Sequence, residues 1–167
     1  MAIQAGLYWQ TGTAALLATV KEQVEAVFPA VKCTPLAPLE PPAAGWDTFR
    51  GQYDVHCLLD VCQLPAGYDL VLWLVQVDIG DPWHSYLFGA ASQRKAVVSA
   101  ARLVSQEDIG KEAGHEIGHL LGLSHCRNEC LMRPSRTSRG VQGKMGRLCS
   151  PCQGVLAARG GGDLQNK

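Results

Sequence analysis

The sequence has no apolar stretch approaching the roughly 20 residues that cross a bilayer. Its amino terminus carries no Lys or Arg before Lys21, and Gln4, Gln10, Thr11 and Gly12 interrupt the apolar run there. Neither a signal peptide nor a spanning helix is expected, which leaves a cytoplasmic protein with no membrane partner. No internal repeat and no propeptide is apparent. Acidic residues are nearly missing from one region. Between residues 117 and 162 there are seven Arg or Lys and a single acid, Glu129, although the whole chain balances 15 basic against 15 acidic residues. An even cysteine count is also lacking. Seven cysteines in a reducing compartment cannot all pair, so a disulfide framework is not expected and metal becomes their leading use.

What is present suffices for one compact domain. A chain of 167 residues, 47% of them hydrophobic, can bury a real core. The expected unit spans residues 1–157, with a cysteine-bearing subdomain at 126–152 and a disordered tail over 158–167. Ala2 to Trp9 reads as a strand. Thr13 to Phe28 has apolar residues at Leu16, Leu17, Val20, Val24, Val27 and Phe28, the spacing of an amphipathic helix. Val31 to Leu36 returns as a strand, and Pro35, Pro38, Pro41 and Pro42 mark a loop. Tyr53 to Cys62 has helical spacing. Leu70 to Val77 is almost wholly apolar, as a strand covered on both faces should be. Tyr86 to Ala91 and Ala96 to Leu103 read as two further strands around the turn Ser92 to Lys95. A long helix follows, with Ser105 as N-cap, Asp108 three residues on, and Ile109, Ala113, Ile117, Leu120 and Leu121 along one face up to Gly122. Beyond Gly122 the sequence reads as loop.

The chemistry lies in that helix, in His-Glu-Ile-Gly-His-Leu-Leu-Gly-Leu-Ser-His from His115 to His125. One helical turn separates His115 from His119, so their imidazoles can converge on one ion. Gly122 can take the left-handed conformation that ends a helix and swings His125 back as a third ligand. Three neutral nitrogens leave zinc a fourth position for water, whose pKa falls to about 7, and Glu116 is placed to take its proton. Amide hydrolysis then needs no serine or cysteine nucleophile. Exposed histidines on an ordinary helix are the bland alternative, but a chance match to the whole pattern is on the order of 10⁻⁵ for average residue usage. Gly114 and Gly118 each disfavour the helix by roughly 1 kcal/mol relative to Ala, which points to close approach or tight packing.

A second constellation follows: Cys126 and Cys130, then Cys149-Ser-Pro-Cys152. This is the spacing of a closed four-thiolate zinc site, structural because no position is left for water. Redox use of Cys149 and Cys152 competes with it, as do incidental buried thiols. Cys33, Cys57 and Cys62 read as core residues, and His56 and His84 stand alone.

The histidine signature, continued by Cys126, Cys130-Leu131-Met132 and Cys149-x-x-Cys152, resembles the archaemetzincin family of metzincin zinc metallopeptidases. Arg50-Gly-Gln-Tyr53, Phe88-Gly-Ala90 and the run from Ala96 to Leu103 extend the resemblance over most of the chain. The resemblance implies a catalytic zinc on His115, His119 and His125, a structural zinc on Cys126, Cys130, Cys149 and Cys152, and Met132 as the methionine of the Met-turn. It further implies a cleft strand near Phe88 that pairs with substrate backbone. Three residues separate the first two cysteines and sixteen separate Met132 from the final pair, one fewer in each case than in the family pattern. No tyrosine follows Met132. The fold expected is α/β, metzincin-like: a twisted mixed sheet, an active-site helix below it and a small zinc-bound carboxy-terminal subdomain.

Peptide or protein is then the partner, as substrate of a hydrolase that is aminopeptidase-like or acts on short peptides. The rival reading is a nucleic-acid or protein-binding module with a vestigial histidine site, built on the cysteine zinc and the arginines at 127, 133, 136 and 139. Protein purified without chelators should contain about two zinc ions per chain by elemental analysis; about one means that one constellation fails, and none favours redox use of the thiols.

Overall fold

A computed structural model describes residues 1–159. Strand β1 (Ile3–Trp9), helix α1 (Leu17–Val27) and strand β2 (Val31–Pro38) form the opening β-α-β unit, with β1 and β2 parallel. The short strands β3 (Trp46–Asp47) and β4 (Gln52–Asp54) lead into helix α2 (Val55–Val61) and then into β5 (Leu70–Val75). Strands β6 (Ile79–Asp81), β7 (His84–Leu87), β8 (Gly89–Ser92) and β9 (Lys95–Ser99) precede the long helix α3 (Gln106–Leu120). Two helices complete the described chain, α4 (Ser138–Gly143) and α5 (Ser150–Ala158).

The main sheet has the order β2-β1-β5-β9-β8. Its inner pairs are parallel and β8 closes one edge antiparallel to β9. Strand β5 sits in the middle with every residue buried, and its pleat divides the core. Leu70, Leu72 and Leu74 join the cluster under α1 and α3, while Val71, Trp73 and Val75 join the one under α2. The period-2 alternation of a strand is thus spent on two apolar layers. A smaller sheet, β3-β4-β6-β7, flanks this core.

Three expectations need correction. Strand β2 continues through Pro35 to Pro38; it is an edge strand, where a missing N–H facing outward breaks no ladder. The single strand expected over Tyr86 to Ala91 is two strands in different sheets, divided at buried Phe88. The region read as loop beyond Gly122 contains α4, capped by Thr137 accepting from Gly140 N–H, and α5, which has proline in its first turn. Helix α5 runs to Ala158 and Arg159 follows in a turn, so only 160–167 of the expected tail lie outside the described residues.

Helix α3 is buried at 12 of its 15 positions, far more than an amphipathic surface helix requires. The sheet and α1 cover it on two sides, and the segment after Gly122 covers it on another. Close packing explains Gly114 and Gly118: a Cβ at Gly114 would stand 3.0 Å from Leu131 Cδ2, and one at Gly118 would collide with Met132 Sδ. Gly118→Ala should therefore lower stability by about 1–2 kcal/mol in urea denaturation, overpacking outweighing the better helix propensity of alanine.

Candidate metal and catalytic centre

Ser105 starts α3 by accepting a hydrogen bond from Asp108 N–H, with Glu107 and Asp108 in the first turn. The other end stops at Gly122, whose φ of +86° is left-handed. Leu123 N–H donates to Gly118 O and Gly122 N–H to His119 O, both at 2.9 Å, the pair of bonds of a Schellman turn. This reversal brings His125 back to the helix. Its ring centroid lies 5.4 Å from that of His115 and 4.9 Å from that of His119, and one nitrogen of each of the three lies within 4.8 Å of the others.

Two of the imidazoles are fixed from behind. His115 Nδ1 is 3.0 Å from Leu131 O and His119 Nδ1 is 2.9 Å from Leu123 O. A carbonyl only accepts, so each Nδ1 carries the proton and each Nε2 turns a lone pair to the shared centre, where the two Nε2 atoms are 3.1 Å apart. Burial, aided by Lys144, pulls His115 down to about 3, and burial also lowers His119. Both rings are neutral at pH 7, as ligand nitrogens must be. The set fits an ion that takes nitrogen donors and leaves a position open.

Glu116 is only 4% exposed. Burial and, after it, the charge of Glu112 raise its pKa well above the usual carboxylate range, against an opposing effect of Lys144. Its carboxylate faces β8, where a Cβ on Gly89 would lie 2.8 Å from Glu116 Oε1. Glycine at that position leaves room for the carboxylate. A cleft of about 1000 Å³ opens over this centre, with Phe88 to Ala91 as one wall and Pro134 to Arg136 as the other.

The four cysteines also converge. Cys126 and Cys149 sulfurs are 3.6 Å apart, Cys130 and Cys152 sulfurs 3.7 Å, and all four lie within 4.8 Å of one another. Tetrahedral thiolates at about 2.3 Å from zinc would stand about 3.8 Å apart, so the set fits that ion despite its shortened spacing. N–H groups of Met132 and Cys149 each donate to Cys130 Sγ at 3.4 Å, and Asn128 Nδ2 donates to Cys149 Sγ at 3.7 Å. Such donors favour the thiolate form, and Cys149 is accordingly lowered, chiefly by the backbone N–H of Cys152. Met132, fully buried, packs against Gly118 of α3, and its carbonyl accepts from Cys126 N–H at 3.0 Å. Cys33 and Cys62 are buried apart from this cluster, as expected of core residues.

Residues 73–158 match the profile of peptidase family M54. An archaemetzincin of Nanoarchaeum equitans is 38% identical over 115 residues, 68% of this chain and 68% of that one. The chain belongs to the archaemetzincins, peptidase family M54. Crystal structures agree: the archaemetzincin of Methanopyrus kandleri superposes with a TM-score of 0.85 at 29% identity, covering 94% of both chains. A zinc-dependent peptidase of Methanocorpusculum labreanum does so with 0.78 at 26%, covering 91% of this chain and 99% of that one. This archaemetzincin is thus a zinc metallopeptidase with a mixed α/β fold. No helix among the described residues is long and apolar enough to cross a membrane.

The sequence reading did not single out a buried ion pair beside the centre. Lys144 Nζ is 3.1 Å from Glu112 Oε2, with the side chains 1% and 7% exposed. Glu112 shares the surroundings of His115 and Glu116, their ligand atoms within 4.8 Å of one another. Its spacing of four from Glu116 was the available signal, whereas Lys144 was hidden in the basic run. Removing one partner should be severe. Glu112→Ala leaves a buried, unpaired ammonium and should lower stability by about 3–5 kcal/mol in urea denaturation, while Glu112→Ala with Lys144→Met should cost less than the single change.

Proposed function

We propose that this archaemetzincin hydrolyses short peptides in an aminopeptidase-like manner, with Glu116 as general base and two zinc ions per chain. His115, His119 and His125 would hold the catalytic ion, and Cys126, Cys130, Cys149 and Cys152 the structural one. The chemistry a bound catalytic zinc supplies is Lewis acidity, which brings the pKa of water to about 7 and polarises a carbonyl.

The observation that carries this reading is Glu116 itself: a buried carboxylate facing the cleft, next in sequence to His115 and with its pKa raised by burial well above the usual carboxylate range. A carboxylate so tuned can take a proton from the attacking water and then release it to the leaving amine nitrogen. Water oxygen bonds to the carbonyl carbon, the C–N bond breaks, and Glu116 ends the cycle unprotonated. Burial by Gly89 and the cleft walls excludes bulk water from the carboxylate. Strand β8 supports substrate positioning, because it is the edge of the main sheet and lines the cleft. An extended peptide can add there as one more strand.

Short substrates are favoured by a bridge between the walls. Tyr86 Oη–H, from β7, donates to Arg136 O at 2.7 Å, and both residues line the cleft. A groove crossed in this way suits the end of a peptide better than the middle of a long chain. Glu116→Gln should reduce turnover of a short-peptide library by about 10²–10⁴-fold while zinc content by elemental analysis stays unchanged. Retained turnover would remove Glu116 from the mechanism.

A further inference from the structure

Arg136 lines the cleft, is exposed, and its guanidinium makes no hydrogen bond or ion pair with another described residue. Its backbone, by contrast, is held. Tyr86 Oη–H binds its carbonyl across the cleft, Pro134 precedes it by two residues, and Thr137 after it caps α4. Tyr86 is itself braced: the Arg102 guanidinium lies 4.2 Å from its ring centroid, and Arg102 is fixed by two 2.7 Å bonds to Asp78. Phe88 meets the same ring edge-on at 5.5 Å. A rigid support thus presents an unpaired cation beside the catalytic centre.

The acids of the cleft do not satisfy it. Asp81 accepts from the backbone N–H groups of Trp83 and His84 at 2.9 and 2.8 Å and meets the His84 ring at 2.8 Å. Glu112 is paired with Lys144, and Glu116 faces Gly89. Nor does the cysteine cluster explain the basic charge around it. Among the described residues the polar side chain donating to those sulfurs is Asn128, and Arg127, Arg133, Arg139 and Arg147 are exposed, like Arg136, without side-chain partners. Of these cations Arg136 is the one that lines the cleft, and a guanidinium binds a carboxylate through a planar fork.

Resting on the peptidase reading above, we propose that Arg136 binds a carboxylate of the substrate, supplied either by an acidic side chain or by the free carboxy terminus of a short peptide. A peptide is favoured over nucleic acid because this cation lies within the hydrolytic cleft, on the wall opposite β8. The role is one of specificity: Arg136 touches the substrate at a distance from the bond that breaks.

The test uses zinc-loaded Glu116→Gln protein and four labelled peptides of one backbone sequence, read by fluorescence anisotropy. One carries Glu with an amidated end, one Gln with a free end, one Gln with an amidated end, and one Lys with an amidated end. At least one of the first two should bind about fivefold tighter than the neutral third, as for a partly exposed ion pair, and the identity of that peptide names the carboxylate's source. The advantage should vanish in Arg136→Ala and persist in Arg139→Ala, which removes the same charge outside the cleft wall. Arg136 has no side-chain partner to lose among the described residues, and an unchanged thermal melt confirms the fold. Equal binding of all four peptides, no binding, or an advantage that survives Arg136→Ala overturns the proposal. An Arg136-dependent preference for a single-stranded oligonucleotide over every peptide does so as well. Mass spectrometry of the same peptides with the unsubstituted protein separates the two readings. Cleavage of the neutral peptide without carboxylate preference sinks Arg136 alone, whereas no cleavage of any peptide sinks the peptidase reading of this chain.

Discussion

The site depends on one backbone reversal, the left-handed residue at Gly122. With φ at +86° and Arg159 packed where a Cβ would project, no other residue fits there without strain. The Schellman turn it permits satisfies the last carbonyls of α3 and aims Leu123 O at His119 Nδ1. It also starts the path that returns His125, and further along the same segment Leu131 O reaches His115 Nδ1. A longer helix at this point would carry His125 away and leave both other imidazoles free to rotate. The position of the third nitrogen and the tautomer of the first two are therefore consequences of one dihedral angle.

A second constraint is electrostatic. Helix α3 takes Lys111, Glu112, His115 and Glu116 into the interior, where isolated charges are expensive. All but Glu116 are compensated or neutralised. Lys111 donates to Gln142 O and pairs with Glu107; Lys144 pairs with Glu112; the two histidines lose their charge to burial. Glu116 is the exception, with no cation in contact among the described residues, and the resulting rise in its pKa suits the general-base role proposed for it. The compensating groups Lys144 and Gln142 belong to the end of α4 and the residue after it, so the carboxy-terminal segment neutralises the helix it covers.

Much of this was legible in the sequence, and the reasons differ by element. The histidine signature was readable because ligand geometry demands fixed spacings on a helix and a glycine to end it. The β-α-β opening, β5 and the cap at Ser105 followed from periodicity and capping chemistry. The split at Phe88 was not legible, since alternation is the same whichever sheet a strand joins. Strand β2 was cut short because proline reads as a breaker until its edge position is known. Helices α4 and α5 are too short for periodicity to reveal, although Thr137 and Pro151 mark their starts. Glu112 with Lys144, and Tyr86 with Arg136, are separated by 32 and 50 residues, and only the tertiary fold brings them together.

The segment from Leu131 to Arg136 joins these constraints. Its first carbonyl orients His115, Met132 packs under Gly118, and Pro134 to Arg136 form a wall of the cleft and receive the Tyr86 hydrogen bond. Immediately before it stands Cys130, whose sulfur accepts from the N–H groups of Met132 and Cys149. Closing the cysteine cluster thus fixes the strand of chain that orients a histidine and shapes the cleft. The pattern is shorter by one residue in both loops without loss of convergence, because what must be conserved geometrically is the placement of Cys130 and Met132 against α3. Residues Arg127 to Glu129 are exposed, and 133–148 has exposed positions between buried Val141, Lys144 and Leu148, where loop length is tolerated. Although no sulfur lines the cleft, the cysteine cluster thereby holds Met132 and one wall of the cleft to the helix that bears His115 and His119.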